Sequence, residues 1–91
     1  MIQSFRHKGL ALLFFDNDAS KVRADLVERC RNRLSVLDDA LVAEDMNLPG
    51  FHFHGLRGKP KRFAVSVNGP WRITFEFTDG DATKVDLENY H

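Results

Sequence analysis

The chain has 91 residues, 43% apolar and 29% charged, and its 13 basic residues balance 13 acidic ones. That length supports one modest hydrophobic core and the composition excludes a disordered chain. Zero net charge removes any global case for nucleic-acid binding, and a single cysteine, Cys30, excludes an internal disulfide framework and a multi-cysteine zinc site.

Met1 to Phe5 alternates weakly and reads as a short first strand. Arg6 to Phe15 reads as a short helix, which Asp16-Asn17-Asp18 stop with turn-forming and capping residue types. Lys21 to Leu41 carries the clearest helical signal. Val27, Cys30, Leu34, Leu37 and Leu41 recur at steps of three and four and form one stripe. Cys30 lies on that stripe and reads as a packed residue rather than a reactive thiol. Ala43 to Asn47 allows a single helical turn. The early apolar run Leu10 to Phe15 is short and lacks a cleavage site, and no stretch approaches the roughly 20 apolar residues that span a bilayer. A cytoplasmic location with no membrane partner is therefore expected.

Pro49-Gly50 breaks the chain and the period changes to two. Phe51 and Phe53 alternate with His52, His54 and Leu56. Phe63, Val65 and Val67 alternate with Arg62, Ala64 and Ser66. Asn68-Gly69-Pro70 is a turn. Trp71, Ile73, Phe75 and Phe77 then oppose Arg72, Thr74, Glu76 and Thr78, the strongest strand pattern in the chain. Asp79-Gly80 suits a tight hairpin, since both positions need positive φ. Thr83, Val85 and Leu87 alternate with Ala82, Lys84 and Asp86. The sum is an α+β domain: an N-terminal helical hairpin on one face of a mostly antiparallel sheet, with residues 1–91 forming one unit.

Charge is local where it is absent globally. Phe51 to Arg72 holds Arg57, Lys59, Lys61, Arg62, Arg72, His52 and His54 and no acid; Ile73 to the end holds five acids and one lysine. Strand parity places His54, Arg72 and Tyr90 on the sheet face away from the helices, with the Arg57–Arg62 loop at its rim. Glu76 shares that face and is the obvious ion-pair partner for Arg72, while Asn89 and His91 have inward parity. His7 and His52 read as surface residues. His52-x-His54 has no adjacent third ligand, so no metal site is expected. The residue pattern alone thus describes a small α+β domain with a basic sheet face suited to an anion.

Met1-Ile2-Gln3-Ser4-Phe5-Arg6-His7-Lys8-Gly9-Leu10, Leu48-Pro49-Gly50, Leu56-Arg57-Gly58, Ser66-Val67, Trp71-Arg72-Ile73-Thr74-Phe75, Gly80-Asp81-Ala82 and terminal Tyr90-His91 stand in order and at the spacing of a known family. Together they resemble HigB, the plasmid maintenance system killer branch of the RelE/ParE toxin superfamily. The resemblance spans essentially the whole chain. It implies a RelE/ParE-like toxin of a type II toxin–antitoxin pair, a ribosome-dependent endoribonuclease that cuts mRNA in the small-subunit decoding site. It also implies a HigA-type helix-turn-helix antitoxin, through which alone the complex meets operator DNA, and neither cofactor nor metal.

Carried over by position, the resemblance makes His54 a general acid or base and Arg72 the phosphate clamp. Asn89, Tyr90 and His91 complete the catalytic set. Arg57, Lys59, Lys61 and Arg62 bind RNA or the ribosome. The family commonly ends Asp-Tyr-His, so Asn89 implies attenuated cleavage. Phe63, Asn68 and Pro70 also depart from its usual residues. The competing readings are a ParE-like gyrase inhibitor and an inactive antitoxin-binding remnant.

Overall fold

The helices form along the apolar stripes and end where polar groups take over the backbone. In the computed structural model, which describes residues 1–90, helix α1 spans Lys8–Asp16 and helix α2 spans Val27–Asp39. His91 lies outside the described residues. α1 begins two residues later than its pattern suggests because His7 is its N-cap: the Leu10 N–H donates to His7 Nδ1 at 3.1 Å. His7 is therefore a half-buried capping residue rather than a free surface histidine. Asn17 ends α1 in the left-handed region at φ 54°, which asparagine tolerates better than most residues.

A 3-10 turn over Ala24–Leu26 leads into α2, and Cys30, Leu34 and Leu37 lie fully buried along one side. The stripe does not continue to Leu41, which is 78% exposed. α2 stops at Asp39, Ala40 is extended, and Asp45 Oδ2 accepts the Leu41 N–H at 2.9 Å, so the chain turns away before Leu41 can reach the core. A second 3-10 turn covers Ala43–Met46.

The sheet is a four-stranded antiparallel meander, with β1 His54–Leu56, β2 Arg62–Asn68, β3 Trp71–Thr78 and β4 Asp81–Asn89 adjacent in that order. Asp79 and Gly80 turn the last hairpin with φ of 52° and 83°, as an Asp-Gly turn of the primed type requires. β1 is shorter than its alternation suggests, because His52 sits at φ 49° and breaks the extended run. Phe51 and Phe53 still turn toward the core, where Phe53 stacks on Phe63 and Phe63 on Phe75.

β4 departs from simple alternation. Thr74 pairs with Asp86 but Glu76 pairs with Thr83, so one extra β4 residue is accommodated near Lys84, whose φ is 52°. This bulge switches parity. Ala82 joins Val85 and Leu87 on the core side, where the expected alternation had put it opposite them.

Met1 to Phe5 is a strand-like edge and not a full strand. Ile2 and Phe5 make isolated parallel bridges to Ala82 and Val85. They cover the free edge of β4, which would otherwise offer unpaired N–H and C=O groups. The core lies between the helices and one sheet face, with Leu10, Leu26, Leu34, Leu37, Val65, Ile73, Phe75 and Val85 at its centre. Each fully buried Leu or Phe there contributes about 1.5–3 kcal/mol of transfer free energy. Among the described residues no helix is long and apolar enough to cross a membrane.

Candidate active site

The sheet face turned away from the helices carries two adjacent cross-strand rows. One runs His54, Ala64, Thr74, Asp86; the next runs Ser66, Arg72, Glu88. Ala64 and Thr74 are fully buried although no helix covers them. Thr74 lies beneath a bridge: its hydroxyl donates to Glu88 Oε2, which also accepts from Arg62 Nη1 at 3.0 Å. The centre of the face is thus roofed by an ion pair whose two side chains are about one third exposed, 33% and 31%.

Among the described residues Arg72 is held by neutral acceptors. Its Nη1 donates to Gly69 O at 2.7 Å and to Trp71 O at 3.1 Å, both neutral acceptors. Its Nε is buried and has no hydrogen-bond partner among the described residues. Among the described residues no carboxylate reaches it: Glu76, its expected partner, instead pairs with Lys84 at 3.3 Å. The bulge explains the change, because it brings Lys84 close to Glu76 at the far end of β3.

Tyr90 flanks Arg72. The Arg72 guanidinium carbon lies 5.9 Å from the centre of the Tyr90 ring, a cation–π distance. The Tyr90 N–H donates to Pro70 O at 2.8 Å, which ties the chain end to the β2–β3 turn. Partial burial raises the phenol above its ordinary range, Glu88 adds to that, and Arg62 and Arg72 oppose it. Near neutral pH Tyr90 is therefore a neutral phenol, able to donate a hydrogen bond and unsuited to act as a base.

His54 is exposed on the same face, two strands and two residues from Arg72, or about 12 Å between Cα atoms on ideal strand spacings. Its Nδ1 lies 2.9 Å from the His52 carbonyl. A carbonyl only accepts, so this contact puts the proton on Nδ1 and leaves Nε2 as the acceptor of the neutral ring.

The remaining expected residues divide. Asn89 is exposed and lies opposite Trp71 in register, so it shares the core-side face with Trp71 and is turned from Arg72, as its parity indicated. Arg57, Lys59 and Lys61 are exposed on the β1–β2 connection. In an antiparallel meander that connection lies at the opposite end of the sheet from the β2–β3 turn beside Arg72. Lys61 Nζ donates to Leu56 O at 3.3 Å. Arg62 is not a free docking cation, since Glu88 takes its charge. His91, the last of the expected set, lies outside the described residues.

Glu88 and Thr74 escaped the sequence reading as site residues. Their parity was visible, but neither type at that position marks chemistry without knowing what lies across the sheet.

The sheet face of this small α+β domain thus holds an arginine with no carboxylate partner among the described residues beside a neutral phenol, with an imidazole across the face, a set of groups whose chemistry suits a phosphate-bearing ligand. Residues 3–91 match the family described as the RelE-like toxin of type II toxin-antitoxin system HigB, and the chain belongs to that family. It is also 40% identical to the Endoribonuclease HigB of Proteus vulgaris over 92 aligned residues, covering the whole of both chains. Membership in a type II system implies an antitoxin partner.

Proposed function

We propose that this chain, as one domain over residues 1–91, is an endoribonuclease toxin that cuts mRNA in the decoding site of the translating ribosome. The observation that carries the reading is Arg72: a guanidinium anchored by carbonyl oxygens, with a buried unpartnered Nε and no carboxylate in reach among the described residues. The relative named an endoribonuclease supports it across its whole length.

In the proposed step the 2′-hydroxyl loses its proton, its oxygen bonds to phosphorus, and the bond from phosphorus to the 5′-oxygen breaks. The 5′-oxygen takes a proton, leaving a 2′,3′-cyclic phosphate and a 5′-hydroxyl. Arg72 meets the charge that builds on the equatorial oxygens. Nε2 of His54 is the accepting nitrogen its tautomer leaves open and serves proton transfer. Tyr90 stacks on a base and donates a hydrogen bond. His91 completes the set at the chain end. Arg57, Lys59 and Lys61 dock on ribosomal RNA through exposed charge, and Arg62 serves the site by holding Glu88.

Asn89 attenuates cleavage, because an amide cannot take a proton or orient an imidazolium through charge. Its place beside Trp71 means that its influence runs to the adjoining chain end and not to Arg72. The partner is a HigA-type helix-turn-helix antitoxin, and the toxin meets operator DNA only through it. The setting is the cytoplasm, where mRNA and ribosomes are. The reaction uses these side chains without a cofactor.

The deciding experiment follows cleavage of a defined mRNA with and without ribosomes by the wild type, Arg72→Ala and a His91-deleted variant. Cutting is expected only on programmed ribosomes and only by the wild type at full rate. Ribosome-independent cutting would overturn the mode of action. Growth arrest through a DNA-damage response with intact mRNA would favour the gyrase-inhibiting alternative.

A further inference from the structure

The β2–β3 turn carries Arg72 on one side, and on its other side α2 presents two more arginines that the reading of the site leaves unused. Arg29 Nη1 donates to Val67 O at 3.2 Å and to Asn68 Oδ1 at 3.0 Å. Arg33 Nε donates to Ser66 O at 3.0 Å and its Nη2 to Gly50 O at 3.4 Å, while its guanidinium lies 4.2 Å from the centre of the Phe51 ring. A structural role is evident. β1 begins only at His54, opposite Ala64, so no β1 residue pairs with Ser66, and Arg33 satisfies its carbonyl.

That role does not account for the charge. Among the described residues every acceptor of Arg29 and Arg33 is neutral, and neither arginine has a carboxylate within 4.0 Å. The nearby acids are engaged elsewhere: Asp25 holds Arg23 at 2.6 Å and Glu28 holds Arg31 at 3.4 Å. Burial, and then the neighbouring Arg29 cation, pull the Arg33 guanidinium below its ordinary range. Two cations fixed side by side against their mutual repulsion, with donors left over on an exposed Arg29, form a pre-organised anion subsite.

The position of this pair identifies the anion. Arg29 binds Asn68 and Arg72 binds Gly69, adjacent residues of one turn, so the pair continues directly from the proposed phosphate clamp. The lysine-bearing loop lies at the other end of the sheet. We propose that Arg29 and Arg33 bind backbone phosphates of the RNA substrate strand flanking the cleaved bond, so that the strand passes over the Asn68–Pro70 turn from the open face to α2. This rests on the endoribonuclease reading and extends it to the flanking strand. The contacts are to charge and not to base edges, so they hold the strand without selecting its sequence.

The test uses short mRNAs on programmed ribosomes, with uncharged methylphosphonate linkages placed either 5′ or 3′ of the cleaved phosphodiester. With the wild type, neutral linkages on one side are expected to raise KM on the order of tenfold, the loss of two charge-assisted phosphate contacts. Arg29→Gln combined with Arg33→Gln is expected to raise KM similarly on the fully charged mRNA, and to add nothing on the neutral one. On charged mRNA the slope of log KM against log salt should fall by about 1.4, from about 0.7 per phosphate on a single strand.

Arg29→Lys with Arg33→Lys keeps the charges and should recover most of the affinity. If the protein and RNA losses multiply instead, the arginines meet ribosomal RNA or something else, and the proposal falls. It falls too if the lysine pair is as impaired as the glutamine pair, or if the glutamine pair loses only its antitoxin. Should the wild type cut no mRNA at all, the function reading fails separately. Binding of the same mRNAs with a 2′-deoxy residue at the cleaved position then still reads the two arginines.

Discussion

Glu88 stands directly across the sheet from Arg72, yet its carboxylate goes to Arg62, 3.0 Å away, and to the Thr74 hydroxyl. Arg62 thereby keeps an acid off the proposed phosphate clamp. Arg62→Met should release Glu88 toward Arg72 and slow mRNA cleavage about tenfold or more, beyond the loss of one docking charge. Adding Glu88→Gln should restore much of the rate. Single-turnover cleavage of the single and double variants measures the coupling, and additive effects would dismiss this role.

Arg72 itself should behave as a group that acts on the reaction and not on the fold. Arg72→Ala is expected to cut single-turnover cleavage by roughly a hundredfold to a thousandfold, in the range for removing one donor to a developing charge. Arg72→Lys should recover only part, since an ammonium lacks the planar fork. Thermal unfolding, followed in parallel, should change far less than the rate.

Tyr90 is the one tyrosine of the chain, so tyrosinate absorbance titrates it alone. Its midpoint is expected above the ordinary 10.0, because burial and then Glu88 favour the neutral phenol. Arg72→Ala should raise the midpoint further and Glu88→Gln should lower it. A wild-type midpoint at or below the ordinary value, with circular dichroism still native, would mean a ring out of contact with the site.

Cys30 links stability to alkaline pH. Burial pushes its thiol from 9.0 up to about 11. The folded value is the higher one, so this contribution is complete below pH 9 and is lost as pH rises through about 11. Two units amount to about 3 kcal/mol at most. Urea unfolding at intervals from pH 8 to 11 should show that decline, and Cys30→Ala should flatten it. Native Cys30 should also react slowly with thiol reagents.

Gly9 packs against the start of the connection into α2. A Cβ there would lie 2.6 Å from the Lys21 carbonyl oxygen. Gly9→Ala should therefore destabilise by about 1–3 kcal/mol despite alanine's better helix propensity. Unfolding midpoints settle it, and an unchanged or higher stability would show that the helix can move aside.

Asn89→Asp is expected to speed single-turnover cleavage by about a hundredfold or more, the scale on which a proton-transfer group acts. Equal rates in both forms would take position 89 out of the chemistry.

The helical stripe through Cys30, Leu34 and Leu37, the alternation of Trp71 to Thr78 and the Asp79-Gly80 turn were legible because each is a local pattern. Burial of one face imposes a period of 3.6 or 2 on neighbouring residues, and positive φ selects particular types at a turn. The same parity put His54, Arg72 and Tyr90 on one face. Glu76 as the partner of Arg72 was the natural local choice and failed, since one extra residue in β4 hands Glu76 to Lys84.

Pairings between separate elements carry no local mark. Arg62 with Glu88, Arg29 with the β2–β3 turn and Gly9 against Lys21 join residues that only chain closure brings together. Periodicity in this chain therefore settled most of which residues lie in the core and which meet solvent, residue content marked the basic zone from Phe51 to Arg72, and the family resemblance implied roles for His54, Arg72 and Tyr90. Folding settled which of the chain's charges are paired among the described residues. A salt bridge depends on the distance between side chains remote in sequence, and that distance follows from register and a single bulge: among the described residues Arg62 pairs with Glu88 and no carboxylate pairs with Arg72.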